Sequence, residues 1–409
     1  MSDGFYLGGM IDPATGERIG DERAVYDPAD LTTHGVIVGM TGSGKTGLGI
    51  IYLEEALLEG VPTIVIDPKG DMTNLLLTFP DLLPADFEPW VDEGEARKED
   101  KTVAQLAADT AALWTKGLGW WGQDGTRIAE LKNSAGFTIY TPGSSAGVPV
   151  NIIGSLTNPG LSWDTEAETL RDEIQGFVSG LLGLVDIEAD PISSREHILL
   201  SNLVENAWRS GQDLDLATLL AHVQKPPMRK LGVFEVDTFF PEKDRMALAM
   251  KLNGLIASPA FASWMEGVPL DIQQLLWSDD GKPKASIIYL AHLSEEERQF
   301  VVTLLLSKVV TWMRRQAGTG DLRALVYMDE VFGFVPPTAQ PPAKKPILTL
   351  LKQARAFGVG LLLSTQNPVD LDYKAMSNAG TWCIGRLQTE RDKARIVEAL
   401  QSARGDTDV

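Results

Sequence analysis

Hydrophobic residues along the chain occur in short runs that alternate with longer segments in which apolar residues recur at helical spacing. Short apolar runs bounded by turn residues are typical of strands buried on both faces of a parallel sheet, and the segments between them predict helices. The runs that predict strands lie at 35–39, 61–66, 137–140, 286–290, 325–328, 359–363 and 382–384. The alternation therefore predicts an α/β fold with a mostly parallel sheet.

Helix positions can be predicted at several places. The segment from Lys45 to about Leu58 predicts a helix directly after the first strand, and helices are expected near 102–116 and 125–133. Ser294 and Glu297 have the spacing of a capping box, which predicts the start of a long helix after the strand at 286–290.

The same pattern divides the chain into four parts. Residues 1–33 are rich in turn formers and predict an N-terminal hairpin or arm. Residues 34–159 predict the first part of the α/β core, with an insertion at about 76–135. Residues 160–270 are predominantly helical, apart from one possible strand near 233–236, and indicate an inserted helical subdomain. Residues 271–409 predict the second part of the core and a C-terminal helix.

The loop between the first strand and its helix satisfies the pattern G-x-x-x-x-G-K-[ST] with Gly39, Met40, Thr41, Gly42, Ser43, Gly44, Lys45 and Thr46. Its glycines let backbone N–H groups surround phosphate oxygens at the positive end of the helix. Lys45 is expected to reach the β- and γ-phosphates, and the Thr46 hydroxyl to ligate Mg²⁺. The pattern indicates a P-loop that binds ATP and Mg²⁺, with a chance match in a glycine-rich turn as the alternative.

A P-loop needs a carboxylate to hold the magnesium ion, and the strand at 325–328 is followed by Asp329 and Glu330. We expect Asp329 to act as the Walker B metal ligand and Glu330 as the general base that activates water. The strand at 359–363 is followed within three residues by Gln366, which is expected to sense the γ-phosphate or orient the water. The alternatives are a solvated strand end for the acids and a plain turn for Gln366.

Three further residues are candidates at the nucleotide. Arg355 and Arg386 are each a candidate to stabilise transition-state charge, in trans if the protein is oligomeric, or a solvated arginine. Asp67 follows the second strand, at the carboxyl edge where ligands bind in such sheets. Asp67 and the nearby Asp71 either assist at the nucleotide or form a simple turn.

Other classes of site are absent from the sequence. No [NT]KxD guanine-reading motif and no LSGGQ motif occurs, and the four histidines are scattered rather than clustered with cysteine as in zinc sites. The pair Trp120 and Trp121 is expected to pack the insertion. Cys383 is the single cysteine, which excludes an intramolecular disulfide and fits a reducing compartment. We see no secretory signal, and the richest apolar stretch, 300–310, is shorter than the ~20 residues of a membrane span, so we expect a cytoplasmic protein.

The net charge of −20 is unevenly distributed. Residues 1–100 contain 20 acidic and 6 basic residues, a balance of −14, whereas residues 301–409 contain 10 acidic and 14 basic residues, a balance of +4. An acidic surface repels nucleic acid, so any DNA contact requires a locally basic surface. The candidates for such contacts, or for an ordinary solvated face, are Lys308, Arg314, Arg315, Lys344 and Lys345.

Four strings together resemble the HerA/FtsK superfamily, and within it the HerA-like ATPases. They are HGVIVGMTGSGKT at 34–46, IDPKGD at 66–71, YMDE at 327–330 and ARAFGVGLLLSTQNP at 354–368. The resemblance covers roughly 30–75, 136–155 and 285–400. It implies a RecA-like core, a hexameric ring with ATP sites between subunits, and double-stranded DNA in the pore. By position it implies that Lys45, Thr46, Asp329, Glu330 and Gln366 bind or cleave nucleotide, with Arg355 or Arg386 acting in trans.

Three functions remain open from the sequence. The first is an ATP-driven, ring-forming DNA translocase or helicase-like motor, with a nuclease or another effector as a possible partner. The second is an ATPase of the same fold that remodels or switches a protein partner without pumping DNA. The third is a nucleotide-binding regulator with very slow hydrolysis, against which the presence of Glu330 argues.

Overall fold

The computed structural model describes residues 4–152, 156–387 and 389–404. The N-terminal segment forms the predicted hairpin, whose strands pair antiparallel. The P-loop strand and its helix follow, and the helix has the predicted bounds. The elements of this first part are β1 (Phe5–Ile11), β2 (Arg18–Tyr26), β3 (Gly35–Val38), α1 (Lys45–Leu58) and β4 (Thr63–Asp67).

The insertion after β4 is helical and packs against the hairpin. Arg18 lies over the Trp121 ring at 5.3 Å, and the Tyr6 hydroxyl donates to the Trp121 carbonyl at 3.2 Å. Trp121 therefore joins the insertion to the hairpin, rather than packing the insertion alone as expected. The elements are α2 (Pro84–Phe87), α3 (Glu93–Lys98), α4 (Val103–Trp120), α5 (Gly125–Ser134), β5 (Gly136–Tyr140) and β6 (Val150–Asn151).

The next region is mainly helical, as predicted. The strand expected near 233–236 is a hairpin of two very short strands. The elements are α6 (Trp163–Gly183), α7 (Arg195–Arg209), α8 (Leu216–Gln224), β7 (Lys230–Leu231), β8 (Phe234–Glu235), α9 (Val236–Phe239), α10 (Glu242–Ala257), β9 (Val268–Pro269) and α11 (Ile272–Leu276).

The last part returns to alternating strands and helices. The capping box at Ser294 is confirmed, because the Glu297 N–H donates to Ser294 Oγ at 3.3 Å and Glu297 Oε2 accepts from the Ser294 N–H at 2.8 Å. The elements are β10 (Lys284–Tyr289), α12 (Glu295–Arg314), β11 (Ala324–Met328), α13 (Lys344–Gln353), β12 (Val359–Thr365), α14 (Tyr373–Ser377), β13 (Thr381–Ile384) and α15 (Glu390–Arg404).

Seven strands form one all-parallel sheet in the order β13-β3-β12-β11-β4-β10-β5. This sheet confirms the predicted RecA-like α/β core. Strands β3, β4, β11 and β12 are buried along their whole length, which explains their continuous apolar runs. Because all strands run the same way, their carboxyl ends meet at one edge of the sheet.

The helical region shares its core with one face of the sheet. Helix α6 packs along α12, with the rings of Phe177 and Phe300 at 6.3 Å, and one buried cluster includes both these residues and sheet residues such as Val326. Among the helices that the model describes, none is both long and apolar enough to cross a membrane.

Candidate functional site

The P-loop connects β3 to α1 at the carboxyl edge of the sheet. Gly42 and Gly44 have φ values of 76° and 88°, in the left-handed region that favours glycine. Gly44 is the N-cap of α1, and no side chain caps this helix. The backbone N–H groups of its first turn therefore point to a place where an anion would be favourable.

Lys45 folds over this loop. Its Nζ donates to the Met40 carbonyl oxygen at 3.2 Å. Partial burial lowers the pKa of Lys45, while the charges of Glu330 and Asp329 act in the opposite direction. The ammonium thus lies close enough to both carboxylates to be influenced by them, between the P-loop and the end of β11.

The end of β11 places two carboxylates beside the P-loop. Asp329 is buried, and its Oδ1 accepts a hydrogen bond from the Tyr327 hydroxyl at 3.1 Å. Burial raises the pKa of Asp329, and the nearby charges of Glu330 and Asp71 raise it further. Glu330 has a φ of 45°, a left-handed conformation that costs a non-glycine residue on the order of 1 kcal/mol. The Glu330 side chain lies at this edge of the sheet, where its Oε2 accepts hydrogen bonds from Lys69 and Gln366.

A chain of side-chain hydrogen bonds crosses the carboxyl edge through the ends of four adjacent strands. Thr41, after β3, donates to Gln366 Oε1 at 2.8 Å, and Gln366, after β12, donates through Nε2 to Glu330 Oε2 at 2.6 Å. Lys69, after β4, donates to the same Glu330 oxygen at 2.6 Å. The sequence of contacts follows the strand order β3-β12-β11-β4. The structure therefore joins the P-loop, Gln366 and Glu330 in one polar network.

Lys69 is the member of this network that the sequence analysis missed. The Glu330 side chain is only 14% exposed, whereas Lys69 is 41% exposed, so the ion pair forms at the boundary with solvent. The signal was its position: Lys69 comes two residues after a buried strand, at the edge where Gln366 and Glu330 were already expected.

Asp67 shapes the turn that carries Lys69. It is fully buried, and its carboxylate accepts hydrogen bonds from the backbone N–H groups of Gly70 at 2.7 Å and Met72 at 3.0 Å. Burial raises the pKa of Asp67, whereas these two hydrogen bonds lower it. With both oxygens occupied, the geometry favours the turn over the nucleotide-binding alternative. Asp71 is exposed.

The residues at this edge fit a magnesium ion. Mg²⁺ prefers oxygen ligands and keeps several waters, so one hydroxyl and one carboxylate suffice from the protein. Asp329 retains an oxygen without a side-chain donor among the described residues, and Thr46 is the second residue of α1, directly after Lys45. The mutual repulsion of Asp329 and Glu330, which raises the pKa of Asp329, would be relieved by a cation. Thr46 and Asp329 would hold the ion.

The two candidate arginines lie at opposite edges of the sheet. Arg386 follows β13, its carbonyl oxygen accepts from the Met40 N–H at 2.8 Å, and its side chain is exposed beside the P-loop. Arg355 precedes β12 and lies near His34, at the amino ends of the strands. Arg355 is therefore remote from the P-loop of its own chain, and a role at a nucleotide would require a neighbouring copy.

Most of the basic residues considered as DNA contacts form ion pairs within the protein. Three of the five, Lys308, Arg314 and Lys344, are also largely shielded from solvent, which corrects that interpretation for them, whereas Lys345 is 55% exposed. Lys308 pairs with Glu173 at 3.1 Å, and Arg314 and Lys345 pair with Asp172 at 3.8 and 3.0 Å. Lys344 is buried and pairs with Asp372 at 2.8 Å. The cause is the packing of α12 and α13 against acidic residues elsewhere. Only Arg315 of this set is exposed without an ion pair in the described part of the chain.

The single cysteine lies in the edge strand β13. Cys383 is partly buried, its Sγ lies 3.5 Å from the Tyr52 hydroxyl, and burial raises its pKa. A raised pKa disfavours the reactive thiolate.

One solved structure agrees with this fold, and two others match with lower scores. VirB4 of Thermoanaerobacter pseudethanolicus superimposes with a TM-score of 0.54 at 14% sequence identity, covering 98% of this chain and 88% of that chain. The bacterial conjugative coupling protein TrwBΔN70 in its unbound form has a TM-score of 0.45 at 13% sequence identity, covering 97% of this chain and 70% of that chain. TrwB in complex with the ATP analogue ADPNP has a TM-score of 0.46 at 13% sequence identity, covering 93% of this chain and 71% of that chain. Among curated protein sequences, none matches.

The sequence also matches the family model described as the central domain of the helicase HerA, over residues 20–309. This match spans more than half of the chain and includes the P-loop. It agrees with the resemblance carried by the sequence strings around Lys45 and Asp67. The chain therefore belongs to the HerA central-domain family.

Proposed function

We propose that this protein hydrolyses ATP with Mg²⁺. The observation that carries the proposal is the network of Thr41, Gln366, Glu330 and Lys69, which connects a phosphate-binding loop to a carboxylate suited to activate water. Lys45 and the P-loop amides bind the phosphates, and Thr46 and Asp329 hold the metal ion. When bound, Mg²⁺ neutralises charge on the phosphate oxygens.

Glu330 accepts the proton of the attacking water in this proposal. Two donors at one of its oxygens, Lys69 and Gln366, fix the direction of the carboxylate. Gln366 also contacts Thr41 in the P-loop, so a bound γ-phosphate would compete for the same groups. In this arrangement, binding of a γ-phosphate would change the contact between Gln366 and Glu330.

Lys69→Ala is expected to reduce kcat about tenfold while leaving ATP affinity nearly unchanged, because Lys69 holds the base rather than the nucleotide. Steady-state ATPase rates and binding of a fluorescent ATP analogue would measure both quantities. Lys352→Ala, which removes an exposed lysine of α13, is the matched control and should leave both unchanged. Faster turnover in Lys69→Ala would show that Lys69 restrains Glu330 instead of positioning it.

The finer proposal is a ring-forming motor that moves double-stranded DNA, and it rests on membership of the HerA central-domain family. If the protein forms a ring, Arg355 is the candidate for a role in trans because it is remote from the P-loop of its own chain, whereas Arg386 lies beside its own P-loop. These positions favour Arg355 for a role in trans and Arg386 for a role at its own site or at the subunit boundary.

A second candidate is an ATPase that remodels a protein partner. It is favoured by the ion pairs of Lys308, Arg314 and Lys344, whose side chains are largely shielded from solvent, which reduces the basic surface expected for DNA. The charge balance of −14 in residues 1–100 also favours a protein partner, because an acidic surface repels DNA.

Linear duplex DNA distinguishes the two candidates. For a DNA motor, we expect duplex DNA to stimulate the ATPase rate several-fold at low salt and less at moderate salt, because phosphate contacts release counterions. Glu330→Gln protein is the blank for contaminating ATPases. Hydrolysis that is robust but indifferent to DNA at both salt concentrations would contradict the DNA motor and favour a protein substrate.

A further inference from the structure

A cleft away from the P-loop lies between the N-terminal hairpin, α1, α4 and α5. We name it the indole cleft, after Trp114 and Trp121, which line it. It has a volume of about 410 Å³. Its apolar walls are formed by Leu7, Ile51, Leu58, Leu118, Ile128 and Leu131. A cleft of this size and composition suits the anchoring side chains of a ligand.

One carboxylate in this cleft lacks a hydrogen-bond donor. Glu54 lines the cleft and is partly buried, and among the described residues it accepts no hydrogen bond and forms no ion pair, although the charge of Arg127 acts on it. Its neighbour Glu55 instead pairs with Arg127 and accepts from the Tyr6 N–H at 2.8 Å. A partly buried carboxylate without a hydrogen-bond donor is unfavourable, and a cation placed against it would reduce that cost.

The protonation of Glu54 reflects this environment. Burial raises the pKa of Glu54 from 4.5 to about 7, with Glu55 adding to the effect and Arg127 opposing it. The other charged group that lines the cleft is Asp124, at the start of α5. Glu54 is therefore the group whose charge changes near neutral pH, whereas ordinary carboxylates are ionised throughout that range.

The apolar surface continues from the cleft along α4. Trp114 is 48% exposed, and Leu113 and Trp120 are 69% and 68% exposed. Leu113 and Trp120 are seven residues apart and so share a stripe of the helix, next to the stripe of Trp114, Leu118 and Trp121. Large exposed apolar side chains that lie together on one helix mark interaction sites in soluble proteins.

We propose that the indole cleft docks an apolar segment of a partner protein, with a lysine or arginine of that segment paired to Glu54. A protein segment fits better than a small molecule because the exposed surface of Leu113 and Trp120 extends beyond what a molecule inside the cleft would cover. The charge of the partner follows from the unpaired carboxylate and from the acidic balance of residues 1–100. The proposal does not depend on the proposed ATPase activity.

Two synthetic peptides test it: an amphipathic leucine–alanine helix with a single lysine, and the same peptide with glutamine in its place. Fluorescence anisotropy of the labelled peptides measures their binding to the full chain. The lysine peptide is expected to bind at least about tenfold tighter, as a charge-assisted hydrogen bond to a buried group would give. Glu54→Gln should abolish this preference, and Trp114→Ala should weaken both peptides.

The controls distinguish a specific ion pair between the peptide lysine and Glu54 from a general attraction of the cationic peptide to an acidic protein. Glu59→Gln makes the same change of charge on an exposed residue at the end of the same helix and should retain the preference. The preference should increase from pH 6 to pH 8 as Glu54 ionises, and Glu54→Gln should remove that dependence. Because the substitution removes a partly buried charge that has no hydrogen-bond donor, Glu54→Gln should melt at pH 8 no lower than the unaltered protein.

Equal binding of the two peptides would overturn the proposal, as would loss of the preference in Glu59→Gln. Binding of a small aryl amine such as 2-phenylethylamine in the cleft, with no binding of either peptide, would also overturn it, by making the cleft a small-ligand site.

Discussion

Glu330→Gln is expected to reduce ATP turnover at least about 100-fold while nucleotide affinity changes less than about twofold. Glutamine has nearly the shape of glutamate, and its amide oxygen can still accept from Lys69 or Gln366 at the position where Glu330 Oε2 accepts now. An amide, however, does not accept a proton from water. The P-loop, Lys45 and Asp329 are unchanged, so binding of nucleotide and Mg²⁺ should survive.

Steady-state phosphate release and equilibrium binding of a fluorescent ATP analogue measure the two effects. Glu17→Gln removes one carboxylate from the exposed turn of the N-terminal hairpin and should leave both unchanged. Turnover within about twofold of the unaltered protein would remove Glu330 from the mechanism. Loss of affinity together with turnover would indicate a structural role, through the strained backbone at φ 45°.

The environment of the P-loop could be predicted from the sequence because its determinants are local. The buried strand, the glycines with left-handed φ values and the following helix lie within about 25 consecutive residues. Helix α1 was predicted with the bounds that it has in the structure. The same applies to the capping box at Ser294, which depends on two residues three positions apart.

The network at the carboxyl edge could be predicted only in part, because it depends on the order of strands. Asp329, Glu330 and Gln366 were expected at strand ends, but their contacts require β11 to lie between β12 and β4. Nothing local in the sequence fixes that order. Lys69 was therefore missed: its partner Glu330 is 261 residues away, on a strand that only the folded sheet brings beside β4.

The basic residues show the same dependence on long-range packing. Lys308 and Arg314 on α12 form an apparent basic stripe in the sequence, yet α6 lies against that helix and brings Glu173 to Lys308, across 135 residues. Arg355 likewise follows a helix and precedes a strand, and only the direction of β12 shows that it lies at the amino edge. The sequence therefore shows how many basic residues a segment contains, but the packing of the helices determines which of these residues are exposed.

Lys45→Ala is expected to weaken binding of ATP and ADP at least about tenfold, and not that of adenosine, because the ammonium is expected to contact phosphate alone. A hydrogen bond to a charged group contributes about 1.5–3 kcal/mol, which corresponds to a factor of about 10 to 150. Partial burial lowers the pKa of Lys45, so the protonated lysine is held in the loop at some cost to the fold. Its removal should therefore not lower the melting temperature.

Titration with the three ligands, with Lys352→Ala as the exposed-lysine control, checks this selectivity. Unchanged affinity for ATP in Lys45→Ala would contradict the assignment of the loop, whatever the effect on turnover. An equal loss for adenosine would place Lys45 at the nucleoside, or would show that the loop collapses without the hydrogen bond from Lys45 to the Met40 carbonyl. The expected pattern instead separates the two halves of the site: Lys45 governs whether nucleotide is bound, and Glu330 governs whether bound nucleotide is hydrolysed.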